Sequence, residues 1–441
     1  MSIPCLPPEC QSVVDNIFVA LIFPTSFRSF SDERAFGPLI SQLKFLEEER
    51  IIVDLPDGPK KCFFVSGLLL GDNLGINSVG GFVEGFTANL YCRFCKSPKC
   101  DMEHQCLEIR SLMGTEQSYY EDLLENDPSL TGFKTDSVFN QLPSFHMTTN
   151  FCVDIFHDLC EGVCHYVMLH VLSHCIPKYF TLDVLNNRIE LFMYGPCDSH
   201  RIPFVSDDFA TRSKLKMTGS ETLLFVRMFG LLVGDKVPVD DPFWLLYLKL
   251  CHLLDSCLSK CLPSIASITL SVLVQEFNDM YVSVTGDTLK PKMHFLMHYC
   301  TVFNESGPVA LTSTNRFESK HRSLLVPAHA TQSRRQLSLP VAIQHQLNMC
   351  YRFINKSSIL PEPEFGPVHE VDRFDFVSVE LGKKLLDVMF SSNLFCLATN
   401  WITFKGTKYK PGMVLLIRVW CSYFWFIGIY FFIWKFNVVC F

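Results

Sequence analysis

A Cys-x-x-Cys pair, Cys92 and Cys95, is the feature that most constrains how this chain folds. Two cysteines at this spacing lie on one tight turn, and their thiolates can hold a single Zn²⁺ with Zn–S bonds of about 2.3 Å. A closed zinc site has four ligands, so two more side chains must come from elsewhere in the chain. The candidates for these two positions are Cys100, His104 and Cys106 nearby, and His146 and His157 farther along.

The cysteine content is high, at 20 of 441 residues, but the start of the chain does not resemble a secretory signal. Its first ten residues contain neither a basic segment nor the apolar stretch that such signals carry. The chain is also far larger than the small folds that disulfides hold together. We therefore expect reduced thiols and an intracellular, non-secreted protein. The net charge of −7 excludes a globally basic nucleic-acid binder but allows a local basic groove.

Hydrophobic patterns over residues 1–90 predict an α/β sheet. Continuous apolar runs are typical of buried strands, and apolar residues at three- and four-residue spacing are typical of helices. Asp72 follows the last predicted strand, and a strand, helix, strand series with an acid at a strand end favours the α/β class. The predicted elements are a strand over 16–23, a helix over 36–50, and strands over 51–54 and 62–70 with a turn at Asp57-Gly58.

The remainder of the chain divides into four segments. Residues 91–310 contain the cysteine pair and are mainly helical, and residues 311–350 carry a predicted helix over 315–325. A small segment over 351–412 precedes an aromatic, apolar tail over 413–441. The uncharged run in that tail, 419–434, is shorter than the roughly 18 to 20 apolar residues of a membrane span, so we do not expect membrane contact.

An acidic face with one histidine is predicted downstream of the cysteine pair. On a helix, Asp154, His157, Asp158 and Glu161 share one face, because residues three, four and seven positions apart are neighbours. Carboxylate oxygens and an imidazole nitrogen can bind a metal ion there. The alternative is a solvated or structural polar face without a ligand.

A basic stretch around Glu318 is the third candidate site. Arg316, Lys320 and Arg322 surround this single acid, and Arg334 and Arg335 follow. A lone acid among basic groups suits a metal ligand beside a phosphate backbone that the basic groups bind. The alternative is an exposed helix with an ion pair between Glu318 and Arg322.

His294 and His298 lie four residues apart in an apolar helical pattern. At this spacing both imidazoles lie on one face of a helix, so the two side chains could bind one metal ion together. Histidines in such a setting more often pack or form hydrogen bonds, and we expect that outcome here.

Five motifs, taken together and in order, resemble transposases of the CACTA (En/Spm) class. The likeness covers roughly residues 6–412. The motifs are GDNLGINSVGGFVEGF over 71–86 closing on the cysteine pair, DIFHDLCEG over 154–162, LKPKMHFLMHY over 289–299, RFESKH over 316–321 and GTKYKPG over 406–412.

The resemblance implies a ribonuclease H-like core interrupted by a long, mainly helical insertion with a zinc-knuckle-like cysteine pair. Three acids of such a core would hold two Mg²⁺ ions for DNA cleavage and strand transfer. Asp72 would be the second acid and Glu318 the third, with Asp158 or Asp154 as alternatives. In that class the cysteine pair and a later histidine belong to the insertion, so His157 is expected to join Cys92 and Cys95.

One departure from the family pattern concerns the first acid, which is expected upstream of the strand at 16–23. We therefore expect a truncated, transposon-derived protein in which residues 1–90 form a partial sheet and residues 311–350 return to the core. Cleavage is expected to be lost or weak, while DNA binding in the nucleus and self-association are retained. The alternative is a non-catalytic, zinc-binding module for protein contacts. The basic residues expected to bind DNA are Arg316, Lys320, Arg322, Arg334 and Arg335.

Overall fold

A computed structural model describes most of the chain as two compact units. The larger unit comprises Val19–Phe192 and His200–Gln346, and the smaller one comprises Met1–Phe18, Met193–Ser199 and Leu347–Phe441. The described residues are 1–6, 8–11, 13–28, 30–194, 201–330, 336–355, 364–372, 395–404, 407–409, 431–433 and 438–440.

The described fold is mixed and rich in helices, with few strands. The α-helices are α1 Pro8–Gln11, α2 Asp32–Glu48, α3 Asn73–Val79, α4 Lys99–Met102, α5 Glu116–Glu125, α6 Pro128–Thr131, α7 Cys164–Cys175, α8 Leu182–Leu191, α9 Gly219–Val233, α10 Pro242–Leu258, α11 Ala266–Thr285, α12 Pro291–Leu296, α13 Tyr299–Ser306, α14 Asn315–Ala330 and α15 Ser338–Ile354. The strands are β1 Ile51–Leu55, β2 Gly58–Cys62, β3 Glu364–Phe365, β4 Val368–Asp372, β5 Phe395–Thr399, β6 Ile402–Phe404, β7 Thr407–Tyr409, β8 Phe431–Ile433 and β9 Val438–Cys440.

The small two-stranded sheet of the larger unit confirms part of the predicted pattern. Strands β1 and β2 pair antiparallel, and Gly58 closes the turn with φ of +114°. A positive φ of this kind favours glycine, because a side chain there would clash with the backbone. The helix predicted before them is α2, which begins where the Ser31 side chain accepts a hydrogen bond from the Arg34 amide.

Two predicted strands are wrong. The segment 16–23 follows a short 3-10 helix, Val14–Asn16, and is otherwise irregular. The segment 62–70 continues past the end of β2 without a ladder, and Leu69 alone forms a parallel bridge, to Phe151. Apolar runs become strands only where a neighbouring strand takes up their backbone groups, and neither segment has one. In consequence Asp72 ends no sheet strand but caps the start of α3.

The core of the larger unit lies among α7, α9, α10 and α11. Aromatic side chains fill it, and Phe225, Phe229, Phe277 and Tyr281 are fully buried. The ring of Phe229 meets that of Tyr247 edge to face, with centroids 5.2 Å apart. Some of the 40 phenylalanines of the chain thus fill the space between helices.

A π-helix, Phe156–Val163, leads directly into α7. Its wider turns leave carbonyls that need partners, and Lys292 supplies one, donating from Nζ to the carbonyl oxygens of His157 at 2.6 Å and Glu161 at 3.3 Å. Gly162 leaves space for the lysine, because a Cβ there would lie 2.3 Å from Lys292 Cδ. The predicted acidic segment is therefore helical from His157 to Glu161, with a geometry that often marks functional sites. The single shared face is wrong, because Asp154 precedes the helix and Asp158 contacts Asn73 and Tyr299 instead.

Asp241 anchors the start of α10 and gives a prediction for stability. Its buried carboxylate accepts hydrogen bonds from the amides of Phe243 and Trp244 and from the hydroxyl of Tyr179, and it lies 2.8 Å from His174 Nε2. Burial alone would raise the pKa of Asp241, but the bonds from Tyr179 and His174 outweigh it and hold the pKa well below its usual range.

Asp241→Ala is expected to lower the free energy of unfolding by about 2–3 kcal/mol at pH 7, since a helix cap is lost and buried partners are left without an acceptor. The lowered pKa makes this contribution complete above the unfolded-state pKa of about 3.9 and removes it as pH falls towards the folded-state value. Urea unfolding of both proteins from pH 7 to pH 3 tests this. An equal difference at both pH values would contradict the assignment.

The smaller unit holds the remaining strands. Strands β4, β5, β9 and β8 form one antiparallel sheet in that order, and β3, β6 and β7 form another. Most of the predicted apolar tail lies outside the described residues, and β8 and β9 are its described parts. No helix in the described ranges combines the length and apolar character that crossing a membrane requires.

Candidate metal centre

Four buried side chains converge in the larger unit: Cys92, Cys95, His294 and His298, whose ligand atoms all lie within 4.8 Å of one another. Cys95 Sγ is 3.3 Å from His294 Nε2, and Cys92 Sγ is 3.5 Å from His298 Nε2. The two Nε2 atoms are also 3.5 Å apart. The edges of a Zn²⁺ tetrahedron with sulfur and nitrogen ligands are about 3.3–3.8 Å, so these separations match it.

The cysteine pair is held by a knuckle of backbone hydrogen bonds. The Phe94 amide donates to Cys92 Sγ at 3.4 Å, and the Lys96 amide donates to the Leu112 carbonyl at 2.8 Å. Cys95 forms an antiparallel bridge with Met113. Both thiols therefore point to the same side of the turn, as the Cys-x-x-Cys spacing predicts.

The histidines come from α12 and the turn that follows it. His294 belongs to α12, and His298 immediately precedes α13. Phe94, inside the cysteine knuckle, stacks on the His298 ring at a centroid distance of 4.8 Å and an angle of 15°. Each half of the centre thus contacts the other through an aromatic ring as well as through its ligand atoms.

A partly buried carboxylate, that of Glu108, orients His298. His298 Nδ1 lies 2.6 Å from Glu108 Oε2, and Thr301 donates to the other oxygen of Glu108 at 2.7 Å. An imidazole that donates through Nδ1 presents Nε2 as a metal ligand, and metal-bound histidines commonly have such a partner. Burial alone would lower the pKa of His298, but contacts with Cys95 and Glu108 raise it overall.

The two thiols differ in acidity. Burial raises the pKa of the Cys92 thiol well above its usual range. A hydrogen bond from Cys92, together with those from His294 and His298, lowers the pKa of Cys95. The arrangement therefore favours one thiolate even before a metal binds, and a cation would stabilise both.

The donor set and burial fit a structural zinc site. Two sulfur and two nitrogen ligands at tetrahedral spacing are typical of Zn²⁺, and all four positions are supplied by the protein. Catalytic zinc sites usually leave one position open for water or substrate. This closed, buried set can bind a metal such as zinc and hold distant parts of the chain together.

The expected third ligand, His157, is not part of the observed set. His157 does not join Cys92 and Cys95; instead, the set is completed by His294 and His298, for which packing was the expected role. The other candidates contact different partners or lie at the surface: Cys100 is exposed, Cys106 donates to the His104 carbonyl, and His146 Nδ1 contacts Thr148. A sequence signal did exist, since two imidazoles four positions apart in an apolar segment are expected to be buried and then need polar partners.

His157 lies instead in a cluster of acids beside α14. Its Nδ1 contacts the buried carboxylate of Asp154, and its Nε2 is 3.3 Å from Glu318 Oε1 and 3.9 Å from Glu161 Oε2. Asp154 also accepts hydrogen bonds from the amide and hydroxyl of Thr314, just before α14. The hydrogen bond that His157 donates to the Asp154 carboxylate raises the pKa of His157, although burial opposes it.

The three expected catalytic acids are in different settings. Asp72 accepts a hydrogen bond from the Gly75 amide at 2.7 Å, and Glu318 is half exposed, with 52% of its side chain accessible. Asp158 is fully buried, and burial raises its pKa to about 6. Partial burial raises the pKa of Glu318, and His157 opposes this. The carboxylates that raise it further are those of Glu161, Asp154 and Asp72.

The expected DNA-binding residues are partly exposed. Arg316 and Arg322 are exposed on α14, whereas Lys320 is buried with 7% accessibility. Arg334 and Arg335 lie outside the described residues. Two of the five predicted positions are therefore available at the described surface.

The chain was compared with protein-family models and with curated proteins. No protein-family model matches the chain. A search of curated proteins finds no match either.

Proposed function

We propose that this chain is a transposon-derived protein of the CACTA type, with a ribonuclease H-like core and a zinc-bound helical insertion, that binds DNA in the nucleus. The Cys92, Cys95, His294 and His298 set is the observation that carries the proposal. It joins the beginning and the end of the segment proposed as the insertion. Zinc bound there would cross-link the two ends of that segment. Glu108 would hold the His298 ring in the orientation that presents Nε2 to the metal.

The acids give no basis for a cleavage mechanism. Asp72 and Glu318 are close enough for the charge of Asp72 to raise the pKa of Glu318. Their carboxylates already have partners, the Gly75 amide and His157. Among the described residues, the cysteine and histidine centre is the group of three or more potential ligands whose ligand atoms all lie within 4.8 Å of one another. No set of acids among the described residues comes as close together as that, and we derive no cleavage step from them.

A second candidate function is a non-catalytic, zinc-binding module for protein contacts. The burial of Lys320 favours it, because this leaves two exposed arginines, Arg316 and Arg322, among the expected DNA contacts that the structure describes. Both candidates share the zinc centre. DNA affinity distinguishes them.

A charge-reversal experiment tests DNA binding. We expect the zinc-loaded chain to bind a random duplex at 50 mM NaCl and to lose affinity as salt rises, because phosphate contacts release counterions. Reversing Arg316 and Arg322 to glutamate together should remove about two such contacts and reduce the slope of log affinity against log salt by about two. Fluorescence anisotropy from 50 to 200 mM NaCl measures both quantities.

The matched control reverses Lys44 and Lys260, which are exposed elsewhere on the larger unit. It should weaken binding less and leave the slope nearly unchanged. If the unaltered chain does not bind at 50 mM NaCl, DNA binding is rejected in favour of the protein-contact module.

A further inference from the structure

Arg93, between the two cysteines, points away from the metal centre towards α3. It is 4% exposed, and its guanidinium donates to Asn73 Oδ1 at 2.8 Å and to the Cys152 carbonyl at 2.8 Å. Asn73 is the first residue of α3, and the carboxylate of Asp72 caps that helix. The turn that carries Cys92 and Cys95 is therefore bonded directly to the start of α3.

The segment that carries the two histidines also contacts the start of α3, through Asp158. Tyr299, the neighbour of His298, donates from its hydroxyl to Asp158 Oδ2 at 3.3 Å. Asn73 Nδ2 donates to the other oxygen of Asp158 at 2.7 Å. The residues adjoining both ligand pairs, Arg93 and Tyr299, thus converge on the pair formed by Asn73 and Asp158.

This network is buried, so its geometry matters for stability. Arg93 stacks on the rings of Phe94 and Phe295, each 4.9 Å from the guanidinium carbon. A buried cation and a buried carboxylate are tolerated only when their hydrogen bonds and charges match. With the cysteine turn fixed, Arg93 can reach Asn73 and the Cys152 carbonyl together. A turn that is free to open would lose at least one of these bonds.

We propose that Arg93 is a positioning residue that couples the metal content of the centre to the start of α3, and so to the placement of Asp72. Metal on the four ligands fixes the cysteine turn, the turn fixes Arg93 on Asn73, and Asn73 fixes where α3 begins. The coupling rests on the metal binding proposed above and is independent of DNA binding. Because coupling between two sites is reciprocal, a change at Asn73 must also alter metal affinity.

Hydrogen exchange of the full, zinc-loaded chain tests the coupling. Arg93→Met removes both guanidinium bonds but leaves the four metal ligands in place. We expect it to retain zinc and to exchange the amides of α3 about tenfold faster than the unaltered chain, with α10 unchanged. Arg93→Lys keeps the charge and should be intermediate, because one ammonium cannot make both bonds in the same geometry. Arg110→Met, at an exposed arginine, is the control and should change neither helix.

A reciprocal variant keeps the test decisive if Arg93→Met fails to fold. Asn73→Ala changes no residue of the cysteine turn but removes the acceptor of Arg93, and it should lower zinc affinity by about the same tenfold factor, measured by competition with a chelator. Unchanged zinc affinity in Asn73→Ala, or unchanged α3 exchange in zinc-loaded Arg93→Met, would overturn the coupling while leaving the metal centre intact. Absence of zinc binding by the unaltered chain would reject the metal centre itself.

Discussion

Cys95→Ser is expected to reduce the zinc content from about one ion per chain to nearly none and to destabilise the larger unit severely. Serine is a poor zinc ligand, and the remaining three side chains would stay buried without the cation that satisfies them. Structural zinc sites contribute about 10–16 kcal/mol of apparent binding free energy in small peptides at pH 7. Loss of even a third of that would match the whole stability of a marginal domain.

Zinc content by elemental analysis and thermal unfolding by circular dichroism measure the two effects of Cys95→Ser. Cys100→Ser is the control, because Cys100 is exposed in the same stretch of chain and lies outside the buried set. It should keep both zinc and the unfolding temperature. Equal zinc content in the two variants would show that the buried set is not where the metal binds.

Lys292→Met is expected to have the second-largest effect, lowering the free energy of unfolding by about 3 kcal/mol. Methionine preserves most of the side-chain volume but cannot donate to the carbonyls of His157 and Glu161. Burial lowers the pKa of Lys292, and the charge of Asp158 opposes this, so the lysine also compensates a buried acid. The variant loses both contributions at once.

Lys290→Met is the matched control for Lys292→Met. Lys290 forms a partly exposed ion pair with Asp287, with Nζ 2.8 Å from Oδ1, and such pairs contribute about 0–1 kcal/mol. Urea denaturation of both variants gives the comparison. Similar losses for the two would mean that the π-helix carbonyls find water or other partners without Lys292.

The sequence allowed local features to be predicted better than long-range ones. The helix near residue 40, the turn at Gly58 and the helix carrying Glu318 depend on nearby side chains, and the structure contains them. The strands at 16–23 and 62–70 required partners that the apolar pattern cannot specify. An alternating pattern or an apolar run indicates which side chains are to be buried. It does not indicate which other segment of the chain packs against them.

The metal centre shows the same division. The cysteine knuckle was predictable because its two ligands are neighbours in the sequence. The histidines were not, since nothing in the spacing of His294 and His298 tells which distant segment lies against them. His157 was preferred because of the family resemblance, yet the buried carboxylate of Asp154 holds it beside Glu318. His157 therefore contacts Asp154, three residues before it in the sequence, and does not reach the cysteine pair.

The wide separation of the two ligand pairs has a consequence for the newly made chain. His298 lies 206 positions after Cys92. At the usual synthesis rate of about 5–20 residues per second, the cysteine turn leaves the ribosome some 10–40 s before the second histidine. During that interval the two thiols are without the histidines of the buried set. Loading of the zinc proposed for this set would therefore need reduced thiols throughout synthesis, because oxidation in that interval would join the two cysteines before the histidines are available.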